Sequence, residues 1–224
     1  MIHVHHVYKS FGPVVALDDV SLDVERGERV AFVGTNGSGK TTLLRAILGL
    51  LRIAGHVTIG GVDVAKRPEI ALARVAYIPQ IAPPIDAPVA EVVRAHAALR
   101  GIDRRAAVER AKRLGLDLDA VADSRFRDLS GGMKQKLLAA MALATGADVL
   151  VCDEPTANLG AAARDAFFAE IERGDSGRIV LVCSHRSEEV KRLVSRVVEM
   201  RDGRVARDES LERPRRSLLK VVSS

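Results

Sequence analysis

A glycine-rich loop between a short apolar strand and an apolar helix constrains this chain more than any other feature. Residues 30–33 read as the strand, residues 34–41 have the sequence GTNGSGKT, and apolar residues then recur at helical spacing up to Leu48. Glycines allow consecutive backbone N–H groups to point at one phosphate, and the helix start presents its positive end to the same group. The order of strand, loop and helix therefore predicts a phosphate-binding loop.

The loop also predicts its ligands. In such loops the lysine, here Lys40, reaches the β- and γ-phosphates, and the following hydroxyl, here Thr41, binds magnesium. ATP and Mg²⁺ are therefore the expected cofactors. We assign nucleotide binding to Gly34, Thr35, Asn36, Gly37, Ser38, Gly39, Lys40, Thr41 and Thr42.

Two adjacent carboxylates, Asp153 and Glu154, end a second apolar strand at residues 149–154. Unpaired buried charge is costly, so we expect them to face a cation or a reacting group and not to belong to the core. By the same phosphoryl-transfer scheme, Asp153 holds the magnesium shell and Glu154 orients and deprotonates the attacking water. The competing interpretation is an ordinary turn at the strand end before Pro155.

The rest of the chain alternates strand and helix signals, which predicts an α/β fold. We expect a P-loop NTPase with a RecA-like parallel sheet core, an antiparallel β subdomain and an α-helical subdomain. The ATP-binding core with its β subdomain is assigned to residues 1–80 and 131–210, the helical subdomain to 81–130 and a basic tail to 211–224. Expected strands cover residues 2–7, 20–24, 29–33, 74–79, 148–153 and 178–183, with hairpins at 55–64 and 196–205 and helices at 89–122, 133–145 and 167–173.

Amino-acid composition limits the classes of partner that we expect for this chain. Aromatic residues make up 3% of the chain and Trp is absent, which is unlike a nucleic-acid binder that stacks bases. Residues 201–220 hold seven basic and four acidic side chains, so the tail region carries three of the five net positive charges. No window reaches the ~20 apolar residues needed to span a bilayer. We therefore expect a cytoplasmic protein without a nucleic-acid partner, with Cys152 and Cys183 as buried strand residues.

Residues 129–133, with the sequence LSGGM, lie between the two nucleotide motifs and resemble the signature loop of the ABC ATPase family. The resemblance implies that Ser130, Gly131 and Gly132 clamp the γ-phosphate bound to an opposite protomer, and hence a sandwich dimer around two ATP molecules. It also implies an integral membrane transport subunit as a second partner and a place on the inner face of the cell membrane. The other ATPase subunit could be identical or different.

Three further residues match the family in order along the chain. Phe11 corresponds to the aromatic residue that stacks on adenine, Gln80 to the glutamine that links magnesium with the membrane partner, and His185 to the histidine that contacts the γ-phosphate. By resemblance, Gln80 and His185 join Lys40 and Glu154 as catalytic residues. Taken singly, each of the three is a weak signal; their joint order carries the interpretation.

Two departures from the family pattern concern the dimer. Met133 stands where glutamine is usual, and its thioether cannot donate a hydrogen bond. Gly160 stands where an aspartate commonly helps to join the two hydrolytic sites, and Asn158 is the candidate substitute. These departures keep one alternative open, a nucleotide switch without useful turnover. A second alternative is a soluble ABC protein acting on nucleic acid or ribosomes, although no coiled-coil insertion, zinc site or tandem ATPase domain is visible.

Three further features of the sequence give weaker signals. His3 and His5 share one face of the first expected strand, but without a third ligand we favour solvated histidines, as for His6. The basic tail around Arg213 and Lys220 is expected to be solvated and disordered, with contact to anionic lipid or to an acidic loop of a partner as the alternative. The single compact domain and the SGGMKQKL stretch resemble ATPases of ABC-2 type exporters.

Overall fold

Two β-sheets form the framework of the chain in this computed structural model, which describes residues 1–184 and 193–211. The strands are β1 (Ile2–Phe11), β2 (Val14–Val24), β3 (Arg29–Val33), β4 (Ala54–Ile59), β5 (Val62–Asp63), β6 (Val75–Ile78), β7 (Val149–Asp153), β8 (Ile179–Cys183), β9 (Arg196–Arg201) and β10 (Arg204–Ser210). The expected strands are therefore present, and β1 and β2 are longer than predicted.

Six α-helices pack around the sheets within the described ranges 1–184 and 193–211. They are α1 (Lys40–Ile47), α2 (Pro68–Ala73), α3 (Val89–Arg100), α4 (Arg104–Arg113), α5 (Gly131–Ala144) and α6 (Ala161–Glu172). The helical stretch predicted at 89–122 is two helices and a non-helical segment, because Gly101 ends α3 with φ 62° and the Asp103 side chain caps α4 by accepting from the Arg105 N–H. None of the helices within residues 1–184 and 193–211 has the length and apolar character needed to cross a membrane.

The larger sheet has the strand order β10-β9-β3-β8-β7-β6, in which β9, β3, β8, β7 and β6 are parallel and β10 is antiparallel. The smaller sheet, β2-β1-β4-β5, is antiparallel throughout. This is the predicted parallel core with an antiparallel β subdomain. Because β3 and β7 are parallel and separated only by β8, the loops that follow them meet at one edge of the sheet.

Alternation along the central strands divides the interior into two apolar cores. Val30 and Phe32 of β3 contact one core with α1 and the smaller sheet, whereas Ala31 contacts the other with helices α3 to α6. Successive strand residues point to opposite faces, so a strand buried on both faces has a continuous apolar sequence. The apolar runs of β3, β7 and β8 are explained by this double burial, and Cys152 and Cys183 are fully buried within it.

A buried carboxylate joins the helical segment to the core. Glu170 of α6 is 1% exposed and accepts hydrogen bonds from Arg110 of α4 and from Arg173, with Arg113 also within ion-pair distance. Burial alone would raise the pKa of Glu170, but these guanidinium groups outweigh it and lower the pKa. The carboxylate is therefore ionised at neutral pH and holds α4 against α6. The division at residues 81 and 131 stays a proposal.

Candidate functional site

The phosphate loop follows β3 directly and ends at the first residue of α1. Gly39 has φ 100°, and a Cβ at this position would lie 2.6 Å from the Ala16 carbonyl oxygen, so no other residue fits there. As the N-cap of α1, Gly39 has no side chain with which to bond the first-turn N–H groups. Those groups are thus available to an anion at the positive end of the helix.

Lys40 lies inside the loop it belongs to. Its side chain is largely buried, and its ammonium donates to the carbonyl oxygens of Gly34 at 2.9 Å and Thr35 at 2.8 Å, with the Ser38 hydroxyl at 3.4 Å. These contacts hold the positive charge within the same concave loop as the backbone N–H groups. The loop therefore combines a cation with oriented amides, which is the chemistry that binds phosphate.

Thr41 and Asp153 meet across the sheet edge. The Thr41 hydroxyl donates to an Asp153 carboxylate oxygen at 3.1 Å, although the two residues are 112 positions apart. Burial raises the pKa of Asp153, and the Thr41 bond and the charges of Arg45 and Lys40 act in the opposite direction. A hydroxyl and a carboxylate are hard oxygen ligands, so this pair fits Mg²⁺.

Glu154 follows Asp153 in an uncommon backbone conformation. Its φ is 48°, in the left-handed region, and its N–H donates to the Cys183 carbonyl oxygen at 3.0 Å. Such a conformation costs about 1–3 kcal/mol for a residue other than glycine and is often found at functional sites. The pairing of β7 with β8 thus fixes the direction in which Glu154 leaves the strand.

The expectation that Asp153 and Glu154 stay out of the interior was wrong. Asp153 is 1% exposed and Glu154 is 9% exposed. The reason is that the burial is compensated: Thr41 donates to Asp153, and Lys40 and Arg45 supply positive charge nearby. Thr41, Lys40 and Arg45 of the same chain therefore provide part of the compensation that we expected from a bound cation.

The signature loop forms the start of α5. Ser130 is the N-cap, and its hydroxyl oxygen accepts from the Met133 N–H at 3.2 Å. A Cβ on Gly132 would lie 3.0 Å from the Asn158 carbonyl oxygen, and one on Gly131 would lie 3.8 Å from the Asn158 side chain. The loop that follows β7 therefore packs against the two signature glycines, and Ser130 and Gly131 remain exposed.

Phe11 and Gln80 both lie at the surface. Phe11 ends β1 opposite Val14, is 51% exposed and has the Lys9 ammonium 4.9 Å from its ring centroid. Gln80 follows β6 and is exposed. Phe11 thus offers an open ring face or edge to a base. His185 lies outside the described residues, as do Arg213 and Lys220 of the tail.

Three residues near the site were missed by sequence reasoning. Arg45, five residues after Lys40, contributes charge to Asp153. The pKa of Tyr77 on β6 is raised to about 12, first by burial and then by the Asp153 charge, so its hydroxyl stays protonated. Gln135, buried in α5, donates to the Pro79 carbonyl oxygen at 3.4 Å. None of the three had a distinctive sequence signal, since Gln135 stands between Lys134 and Lys136 in the polar first part of α5.

Comparison with known proteins identifies the class. Residues 17–157 match the profile of the family described as ABC transporter, a range that includes the phosphate loop, the signature loop and both carboxylates. The chain belongs to the ABC transporter family. Within it, the chain is an ATP-binding subunit and an ATPase.

Individual relatives agree with this assignment. The chain is 33% identical over 211 residues to a Nod factor export ATP-binding protein I of Cupriavidus metallidurans, covering 91% of this chain and 69% of the relative. It is 38% identical to an ABC transporter ATP-binding protein of Halobacterium salinarum, covering 92% and 91%. Relatives named for export and for import both occur.

A solved structure of the ATP-binding cassette MJ0796, a dimer in a post-hydrolysis state bound to ADP and Pi, has the same fold. It superposes with a TM-score of 0.83 at 26% identity, covering 95% of this chain and 99% of that one. Hydrolysis products bound to a cassette of this fold are consistent with the ATPase assignment. The dimeric state and the bound ADP and Pi are properties of MJ0796.

Proposed function

We propose that this chain is the ATP-hydrolysing half of a dimer that drives a separate transmembrane subunit. The complete transporter is proposed to be an exporter. The observation that carries the proposal is the hydrogen bond from Thr41 to Asp153, since it joins the end of the phosphate loop to the carboxylate pair. Binding, metal and hydrolytic groups are thus contributed by loops at one sheet edge. The protein would act at the cytoplasmic face of the membrane.

Each residue then has a chemical role. Lys40 and the N–H groups at the start of α1 bind the β- and γ-phosphates, and Phe11 stacks on adenine, which is worth about 1–3 kcal/mol per base. Thr41 and Asp153 hold magnesium, with Gln80 as a further ligand, and the ion when bound neutralises charge that develops on the phosphates. Glu154 orients the attacking water and accepts its proton, and His185 contacts the γ-phosphate.

The dimer is proposed from the family resemblance of the Ser130 loop and from the exposure of that loop. The Lys40 loop contacts Asp153, whereas the exposed Ser130 loop contacts Asn158 in the same chain. We infer that Ser130, Gly131 and Gly132 close over the γ-phosphate held by the Lys40 loop of a second subunit. The dimeric MJ0796 cassette supports this arrangement. Gly160 lacks the side chain that commonly links the two sites, and the packing of Asn158 on the signature glycines makes it the candidate for that task.

Ser130→Ala should leave ATP bound to the monomer but prevent closure of the dimer. Ser130→Asp should also fail, because it keeps the helix cap but directs a negative charge at phosphate. Light scattering of the ATP-loaded protein in the Glu154→Gln background measures closure. Because loss of the cap itself costs about 0.5–2 kcal/mol, Asp103→Ala at the cap of α4 is the matched control. A Ser130→Ala dimer as abundant as that of the parent would rule out the trans contact.

An apolar groove is the proposed seat of the membrane subunit. It has a volume of about 370 Å³ and lies between the residues that follow α1, strand β6 and helices α3 and α5, with Leu50, Tyr77, Arg100, Leu138 and Met141 among its lining residues. Its lining residues His96 and Arg100 lie on α3, the helix that begins within the segment 81–92, which by family resemblance receives a helix of the membrane partner. Tyr77 lines the groove and is close enough to Asp153 to be affected by its charge. A helix seated there would thus contact Tyr77, a residue within electrostatic range of the Asp153 carboxylate.

Copurification tests the membrane partner. Leu50 is 59% exposed and lines the groove, whereas Leu99 is 85% exposed on α3 and does not. We expect the wild-type chain and Leu99→Glu to be recovered with an integral membrane protein, and Leu50→Glu to lose it, because a carboxylate in an apolar contact is costly. Recovery of no membrane protein, together with ATPase stimulation by DNA or ribosomes, would favour the soluble alternative. Absence of turnover under every condition would favour the switch.

The direction of transport is a narrower part of the proposal. Export is supported by the relatives named for Nod factor export and by the resemblance to ABC-2 type ATPases. Cargo transport by vesicles that contain this chain and its membrane subunit, with ATP added on the side of the ATPase, would distinguish export from import. Accumulation of cargo inside inverted vesicles supports export, and ATP-driven release from them contradicts it.

A further inference from the structure

A cluster of imidazoles and a carboxylate lies on the smaller sheet, away from the nucleotide residues. His3 and His5 share one face of β1, Asp23 of β2 lies opposite His3, and His56 of β4 lies opposite His5. One donor atom from each of His3, His5 and Asp23 lies within 4.8 Å of the other two. The third ligand that the sequence lacked is therefore supplied by β2, and none of these residues has a part in ATP hydrolysis.

The contacts within the cluster already converge. A nitrogen of His3 lies 2.6 Å from an Asp23 carboxylate oxygen. The His5 ring stacks on His3 with centroids 6.0 Å apart and on His56 with centroids 4.9 Å apart. Ligands of one tetrahedral zinc ion, at about 2.0–2.2 Å from the metal, lie roughly 3.4 Å from one another. Small side-chain rotations thus suffice to bring the three donor atoms around one ion.

We propose that His3, His5 and Asp23 bind a divalent transition-metal ion, for which Zn²⁺ is the appropriate probe. Two imidazoles and one carboxylate form a donor set that suits zinc, copper or nickel better than magnesium. The bound ion would cross-link β1 to β2, and binding to the folded chain alone stabilises it by mass action.

A second His–Asp pair on the same strand provides an internal comparison. His6 lies 2.7 Å from Asp19, so it forms the same contact as His3 and Asp23. It is not a member of the three-residue group. If a surface His–Asp pair alone were enough to bind zinc, both pairs would do so. The proposal requires that only the pair with the additional imidazole of His5 binds.

Calorimetric titration of Zn²⁺ into the nucleotide-free chain, prepared without a histidine tag, tests the site. We expect one saturable site in the wild type and a loss of at least ~10-fold in affinity in His3→Asn and His5→Asn, since losing even an outer partner of a metal ligand typically costs ~10–100-fold. His6→Asn should bind like the wild type. Asp153→Asn should as well, which separates this site from the magnesium site.

Two calorimetric results would overturn the assignment, and thermal unfolding adds a third. One is wild-type protein that takes up no zinc saturably, and the other is His5→Asn protein that binds as tightly as the wild type. Thermal unfolding in the presence of a chelator checks that the variants are folded. Zinc should raise the unfolding temperature of the wild type and of His6→Asn but not that of His5→Asn, and a uniform rise in all three would place the ion elsewhere.

Discussion

Glu154→Gln should bind ATP normally and lower the rate of hydrolysis by roughly 10²–10⁴-fold, because a positioned general base contributes that factor. Glutamine has the same shape and keeps the backbone bond to Cys183, so it leaves the phosphate loop and Thr41 undisturbed. It lacks the carboxylate that accepts the proton from water. ATP should therefore persist in the site and hold the dimer closed.

Phosphate release in steady state measures the turnover of this variant, a fluorescent ATP analogue measures its binding, and light scattering measures its dimer. Glu109→Gln, on the exposed surface of α4, is the matched control and should hydrolyse ATP like the wild type. Near-wild-type hydrolysis by Glu154→Gln would remove Glu154 from the role of base. A loss of ATP binding would instead assign the residue to the structure of the site.

Lys40→Ala should weaken ATP binding by about 10–100-fold. A hydrogen bond to a charged group contributes about 1.5–3 kcal/mol, and each ~1.4 kcal/mol is a factor of ten in affinity. The substitution also removes the ammonium contacts to the Gly34 and Thr35 carbonyl oxygens, so the loop itself loses a restraint. Both effects act in the same direction.

Calorimetry with ATP and with ADP measures this loss, and thermal unfolding without nucleotide measures the restraint separately. Lys66 lies beyond β5 with its side chain 81% exposed, so Lys66→Ala removes the same charge from the surface. We expect this control to change neither the ATP affinity nor the unfolding temperature. Unchanged ATP affinity in Lys40→Ala would mean that the loop binds through its backbone alone.

Local sequence signals predicted most of the elements and their order. Strands buried on both faces, such as β7, had continuous apolar sequences, and the turn signals Gly60-Gly61 and Asp202-Gly203 marked the hairpins. The stretch 89–122 was predicted too long because its Ala, Arg and Glu content favours helix throughout. Helix ends there depend on single residues, Gly101 and Asp103, whose effect composition does not reveal.

The residues that sequence missed are those that depend on distant pairing. Tyr77 and Arg45 reach Asp153 only because β6 lies beside β7 and α1 follows the loop after β3. In the same way, the two histidines of β1 were judged too few for a metal because the β1–β2 register that brings Asp23 opposite His3 involves residues 20 positions apart. Neither arrangement has a local signature, since each arises from strand register.

The bond between Gln135 and Pro79 has a consequence for timing. Ser130 begins the same helix, and at 1.5 Å per residue the five positions from Ser130 to Gln135 span about 7.5 Å. The segment that leads to Gln80 and the residues proposed to close on the second nucleotide are therefore attached to one rigid rod. A shift of that segment by the proposed membrane partner would be transmitted along α5 to Ser130, so binding of that partner would set the moment at which the proposed dimer closes.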